Sequence, residues 1–259
     1  MNGRIVVQRD GHVATITIDN EAKRNAMTQA MWIEMGDAVL ALSRDMPVRC
    51  LVLRGKGTQA FGSGADIDEF EKIRSSKEQA IEFGKHGHRA MHALRDCPIP
   101  TIAAVRGICV GGGLELAAVC DFRIASTASR FGVPIARLGG VLAYPELEGL
   151  LRLAGPQLTL ELLLEGRLMD SAEAYEKGLV TRVFPEDGYE AGLQRIVDNI
   201  AAGAPLSARW HKKFVARLLQ GSPLSEAELN EGYDCFDTDD FKEGYRSFLA
   251  KRPPLFKGI

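Results

Sequence analysis

Apolar residues alternate with polar ones over 12–18, where Ala14, Ile16 and Ile18 fall on one side, and a similar run occupies 4–8. Asp10-Gly11 between them reads as the turn of a β-hairpin. From Thr28 the period changes: Met31, Met35, Ala38, Val39 and Leu42 recur at helical spacing. Cys50-Leu-Val-Leu-Arg54 is apolar without alternation and reads as a fully buried strand. A polar segment over 70–80 precedes a helix running to about Arg95, which Pro98 and Pro100 end. Thr101–Val105 and Phe122–Ala125 read as further strands, and 147–154 as a helix. Asp170-x-x-Glu173 has the form of a capping box for a short helix stopped at Gly178, after which Leu179 to Phe184 turn extended. Beyond about residue 196 the strand signals vanish. Helices are predicted over 207–219, 226–235 and 239–250, the last with Phe241, Tyr245, Phe248 and Leu249 on one face. The pattern is that of an α/β body followed by a helical tail.

Two glycine-rich turns carry the candidate chemistry. Gly107-Ile-Cys-Val-Gly111-Gly112-Gly113-Leu-Glu115 runs into an apolar, helix-forming stretch over 114–119. Glycines there permit backbone angles closed to other residues and close approach of a ligand. A helix N-terminus presents free N–H groups that favour developing negative charge. Glu115, in the first helical turn, then stands beside an anion site, an arrangement suited to proton transfer next to a carbonyl. The plainer alternative is a tight strand-to-helix turn with an ordinary first-turn acid. Phe61-Gly-Ser-Gly64-Ala65-Asp66-Ile67 is the second turn. Together the two can contribute one N–H each to a two-donor oxyanion hole.

With these residues in view the chain resembles the crotonase (enoyl-CoA hydratase/isomerase) superfamily. The Phe61–Ile67 block is similar to its F-x-A-G-A-D-I motif. Gly107 through Glu115, with Cys120-Asp121 and Ile124-Ala125, is similar to its glycine-rich block. Phe131-Gly132-Val-Pro134, Gly178-Leu179-Val180 and the tail from Phe236 to Phe256 continue the likeness in order along the chain. The resemblance implies a crotonase-like spiral of ββα turns over 1–196 and a helical C-terminal region over 197–259 that serves trimer formation. It implies an acyl-CoA thioester as substrate, no separate cofactor, and assembly as a homotrimer or dimer of trimers. By the same resemblance, Ala65 and Gly112 supply the oxyanion hole and Glu115 is the catalytic acid/base. Lys23, Arg24, Ala26, Ala65, Asp66, Ile67, Asp68 and Gly112 are the expected substrate-binding residues.

The likeness breaks at one place that matters. Enoyl-CoA hydratases commonly read F-G-x-P-E, whereas this chain reads Phe131-Gly-Val-Pro134-Ile135. Ile135 cannot carry a proton, yet hydration needs a base for water and an acid for the α-carbon. Glu146 and Glu148 lie near enough in sequence to be substitutes, or are simply the acidic first turn of a helix. A single-glutamate enzyme such as a Δ3,Δ2-enoyl-CoA isomerase is the alternative activity, and a catalytically weakened acyl-CoA binder the alternative class. Asp68 also stands where a basic residue is frequent, which weakens a phosphate contact there. His86, His88 and His92 cluster, the last two at i, i+4, but without a third ligand at metal spacing they read as a solvated helix face. Ser63 lacks the spacers of a nucleophile elbow and reads as a small residue in a tight turn.

Composition narrows the partners. Hydrophobic content of 46% and charged content of 25% are those of an ordinary globular protein. A net charge of −2 gives no reason to expect nucleic acid or membrane surfaces as partners. The five cysteines include no Cys-x-x-Cys pair and read as reduced thiols in a cytoplasmic protein. No apolar run approaches the ~18 residues of a membrane span, and Met-Asn-Gly-Arg-Ile-Val-Val has no leader pattern.

Overall fold

The computed structural model describes residues 3–259; Met1 and Asn2, the start of the segment read for a leader, lie outside the described residues. Strands β1 (Arg4–Asp10) and β2 (Val13–Asp19) pair antiparallel, with Asp10 opposite Val13 across the predicted turn. Gly11 there has φ +52°, a left-handed conformation that suits glycine. Thr28 caps α1 (Gln29–Ser43), its side chain accepting from Met31 N–H.

From β3 (Cys50–Gly55) onward the chain repeats one move. Each long strand is followed by a short strand in a second sheet and then by a helix. β3 leads to β4 (Ala60–Gly62), then α2 (Phe70–Ile73) and α3 (Lys77–Arg95). β5 (Thr101–Val105) leads to β6 (Ile108–Val110) and α4 (Gly112–Ala118). β7 (Phe122–Ser126) leads to β8 (Arg130–Gly132) and α5 (Tyr144–Glu165). The last turn runs through β9 (Met169–Asp170), α6 (Ser171–Glu176), β10 (Arg182–Phe184) and α7 (Tyr189–Ala201). The larger sheet has the order β1-β2-β3-β5-β7-β10 and is parallel after its first hairpin; the smaller has the order β4-β6-β8-β9. This is the spiral of ββα turns implied by the resemblance.

The unbroken apolar run of β3 follows from its position. Leu51 and Leu53 join the main core, while Cys50 and Val52 face a second cluster formed with Tyr189, Leu193 and Val197 of α7. A strand covered on both faces has no solvent side to make polar. The short strands of the second sheet were not apparent from periodicity, because two or three residues cannot display a period of two.

The predicted helix over 147–154 lies in the first of two helical segments that make up α5. Pro156 disfavours helical geometry at the preceding residue, and Gly155 takes φ +69° there, so the two segments of α5 meet at a kink. The helix expected over 226–235 likewise ends early: α9 covers Glu226–Glu231, followed by a 3-10 turn over Asp234–Asp237. α8 (Pro205–Leu218) and α10 (Asp239–Leu249) complete the helical tail. Lys212 of α8 ties it to the body, its ammonium 2.6 Å from Asp121, which also accepts from Thr101 at the head of β5.

Candidate active site

The two glycine-rich turns meet. A Cβ on Gly113 would stand 2.3 Å from the carbonyl oxygen of Gly62, and one on Gly64 would stand 3.3 Å from Gly112 N. Side chains at these positions would push the turns apart, so the contact requires glycine. Gly64 (φ +93°) and Gly111 (φ +51°) also hold angles that suit glycine. Ala65 pairs with Met27 in a short parallel bridge. Met27 N–H donates to Gly64 O at 2.8 Å and Asp66 N–H to Met27 O at 2.9 Å, which leaves the N–H of Ala65 without an acceptor among the described residues. The N–H of Gly112, first residue of α4, has none either. Two unpaired donors thus sit on turns in van der Waals contact.

Glu115 follows in the first turn of α4, with 5% of its surface exposed. Its carboxyl accepts no hydrogen bond from the described residues. Burial, and after it the charge of Glu146, push it up to about 8, against a smaller opposing influence from Arg74. At neutral pH it therefore holds its proton. The far end of α4 is anchored by the buried Arg123, which donates to Cys120 O at 2.6 Å, Ala117 O at 3.3 Å and Leu179 O at 2.9 Å. Guanidinium bonds to these carbonyls satisfy a buried helix end and fix the axis on which Glu115 stands.

Residues over 8–259 match the family model described as enoyl-CoA hydratase/isomerase. The chain belongs to that family. It is 31% identical over 268 residues to a crotonyl-CoA hydratase of Syntrophomonas wolfei, covering 97% of each chain. It is 34% identical over 255 residues to a probable enoyl-CoA hydratase of Mycobacterium bovis, again covering 97% of each. Among solved structures, an enoyl-CoA hydratase/carnithine racemase from Magnetospirillum magneticum superposes with a TM-score of 0.97 at 46% identity. That comparison covers 100% of this chain and 97% of the other.

Against the pattern of the enoyl-CoA hydratase/isomerase family, the position of Ile135 is informative. It lies in a 3-10 turn over Pro134–Leu138, half-buried against the main core, and its side chain brings no polar atom to its surroundings. Of the two candidate substitutes, Glu148 is engaged by Arg95 at 2.9 Å and Arg152 at 2.8 Å. Glu146 is held differently: Ala143 N–H donates to its Oε2 at 2.6 Å, and its Oε1 lies 3.5 Å from Nε2 of His88. Its charge acts on Glu115.

The expected nucleotide-side residues divide. Lys23 donates to Asp66 at 2.6 Å and Asp68 at 2.8 Å, so its ammonium is already neutralised by two carboxylates. Hydrogen bonding to Lys23 holds Asp68 below the usual carboxylate range. Arg24, exposed and at φ +53°, has no ion pair among the described residues. Ala26 and Asp66 are buried, whereas Ile67 is exposed. Ser63 donates to Lys23 O at 3.3 Å and stays within the turn. Among the described residues, no group of three or more His, Cys, Asp or Glu stands together as a metal site, and no helix is long and apolar enough to cross a membrane.

Two residues near the site, Trp32 and Arg74, have no signal in the sequence, and a third, His88, reads there only as part of a solvated helix face. Trp32 of α1 lies against Gly112, where a Cβ would come 2.9 Å from its Cζ2, and its indole N–H is buried without a partner. Arg74 stacks over Phe70 and Phe83, 5.0 and 5.1 Å from the ring centroids. His88 was visible only as part of a histidine-rich helix face. Nothing in local spacing distinguishes these from core or surface residues.

Proposed function

We propose that the protein processes an enoyl-CoA or closely related acyl-CoA through a thioester enolate. The N–H groups of Ala65 and Gly112 hold the thioester oxygen, and Glu115 carries the proton at Cα. The observation that carries this reading is a buried, proton-holding Glu115 one turn beyond two unpaired backbone donors on touching glycine turns. Removing a single oxyanion donor typically costs about 3 kcal/mol of barrier, so the pair contributes more than any one side chain outside the site. Water exclusion around Glu115 keeps the acid protonated at neutral pH, ready to deliver to an enolate carbon. Arg24, Ala26, Asp66, Ile67 and the neighbouring turn line the path of the CoA moiety, with Lys23 and Asp68 acting there as a mutually neutralised pair.

Hydration is the favoured direction, in keeping with the crotonyl-CoA and enoyl-CoA hydratases to which the chain is similar. A Δ3,Δ2 isomerisation is the second reading, favoured by one observation: Ile135 offers no proton carrier where hydratases commonly have a glutamate. Turnover of crotonyl-CoA by absorbance, compared between wild type and Glu115→Gln, tests the proposal. Wild-type turnover that the variant retains in full sinks it.

We further propose that 197–259 mediates self-association on the body formed by 1–196. Phe248 and Leu249 of α10 are 83% and 75% exposed, and Tyr233, Phe236 and Tyr245 are exposed as well, the rings of Phe236, Phe241 and Tyr245 packing in series. Exposed apolar side chains of this kind mark a contact surface, and a homotrimer or dimer of trimers is the assembly the family resemblance implies.

A further inference from the structure

Adding water to a double bond, or moving the bond along the chain, requires a second place for a proton, and Ile135 provides none. We infer that Glu146, braced by His88, is the second proton-transfer group of this enzyme, taking the role that Ile135 cannot fill. The inference rests on the acyl-CoA reading above and names the partner of Glu115 within it.

Three elements converge to make the pair. Glu146 stands on the first turn of α5, mostly buried, with only 14% of its side chain exposed. One carboxylate oxygen is fixed by the Ala143 N–H, in the manner of a helix N3 acid reaching back to the cap. Ala143 has no side-chain oxygen to return the bond, so this contact alone orients Glu146 from its own helix. The other oxygen points to His88 of α3. His88 Nε2 is shut off from solvent and makes no hydrogen bond among the described residues; Glu146 Oε1 lies 3.5 Å from it. A buried ring nitrogen without a partner is costly, so its persistence here has to be explained by what it faces. The ring reaches α5 by lying over Gly84, where a Cβ would come 3.2 Å from Cε1. Glu148, two residues on, cannot serve: both of its oxygens are engaged by guanidinium groups, Oε2 by Arg95 and Oε1 by Arg152. Glu146 has no such cation.

α5 packs directly on α4, a Cβ on Gly149 of α5 coming 2.6 Å from Cγ1 of Val119 at the end of α4. Glu146 is the charge that, after burial itself, most raises Glu115. Two carboxyls that interact in this way divide into one acid and one base. In hydration, the Glu146 carboxylate accepts a proton from water as the water oxygen bonds to Cβ. The π electrons move toward the thioester, whose oxygen is held by the Ala65 and Gly112 N–H groups. Glu115 then gives its proton to Cα as the enolate collapses. One H and one OH have been added to substrate, and the proton now on Glu146 returns to Glu115 through solvent exchange. His88 is a positioning residue that limits the movement of the Glu146 carboxylate by packing 3.5 Å from its Oε1.

The test uses the full-length enzyme and two assays: hydration of crotonyl-CoA, and exchange of the Cα protons of butyryl-CoA in deuterated water, followed by NMR. Glu146→Gln keeps the Ala143 bond through its amide oxygen. It is expected to lower hydration kcat by about 100-fold with little change in KM, while Cα exchange, which needs only Glu115, falls by less than about tenfold. His88→Ala is expected to lower hydration kcat by about tenfold at unchanged KM, and His88→Gln, which replaces the donor near Nε2, to restore most of it. A Glu146→Gln enzyme that hydrates at the wild-type rate, or loses hydration and exchange by the same factor, overturns the inference. Equal losses in His88→Ala and His88→Gln overturn the positioning role. A wild-type enzyme inert in both assays instead overturns the acyl-CoA reading, and this inference with it.

Discussion

Replacing Glu115 with glutamine is expected to make the protein more stable at alkaline pH while disabling it. The folded carboxyl titrates at about 8 against an ordinary 4.5. At about 1.4 kcal/mol per pH unit, that difference corresponds to about 5 kcal/mol of resistance to ionisation. Below pH 4.5 the folded and unfolded chains both carry the proton, and the buried acid imposes no pH-dependent penalty. Between 4.5 and 8 the unfolded chain ionises while the folded one does not, so wild-type stability falls as pH rises. Above pH 8 the loss is complete. Glutamine cannot ionise, so the variant escapes it and the stability gap between the two widens from pH 5 to pH 9. For a chain of this size, each kcal/mol moves Tm by about 2–4 °C, giving an expected relative gain of about 10 °C or more. Differential scanning calorimetry at one protein concentration, at pH 5, 7 and 9, measures it. Crotonyl-CoA turnover at pH 7 is expected to fall by about 10²–10⁴-fold in the same variant. A Tm difference that is identical at pH 5 and pH 9 refutes a buried, proton-holding Glu115, whatever the activity does.

Gly112→Pro removes one oxyanion donor without touching any side-chain chemistry and is expected to lower kcat by about 10²–10³-fold; a variant shown folded by circular dichroism and fully active refutes the two-donor arrangement. Gly113→Ala places a Cβ 2.3 Å from Gly62 O, and forcing the turns apart is expected to destabilise by about 1–3 kcal/mol, read as a lower urea midpoint; an unchanged midpoint means the turns do not bear on one another. Ile135→Glu is expected to give no gain in crotonyl-CoA hydration, since Glu146 already supplies the second group, and a gain of about tenfold or more would shift that role to position 135. Phe248→Asp with Leu249→Asp is expected to yield smaller particles by light scattering than wild type, and a wild-type monomer at micromolar concentration contradicts the proposed assembly.

Much of the site was legible because its parts are local. Gly111, Gly112 and Gly113 announce a turn that demands unusual backbone angles, and the apolar run behind them announces the helix that carries Glu115. The same holds for Gly62 and Gly64 after the buried strand β3. Other features could not be read locally. Lys23 is an exposed cation in sequence terms, and only folding brings Asp66 and Asp68 against it. Glu146 reads either as a helix first-turn acid or as a substitute for the missing glutamate, and local sequence does not separate it from Glu148. His88 reads as one of three histidines on an amphipathic helix.

The sequence by itself determined the α/β class, the two glycine-rich turns and the catalytic candidate Glu115, because each depends on residues within a few positions of one another; the spiral of ββα turns was implied by the family resemblance. It also revealed what is missing at Ile135. Only the tertiary structure brought the two glycine turns together, showed Glu148 engaged by two guanidinium groups and Glu146 by none, placed His88 beside Glu146 and Arg74 near Glu115, and showed which cation is neutralised and which is not. Electrostatic coupling and burial depend on distance through space, and α3, α4 and α5, separated along the chain, pack on one another only in the folded protein.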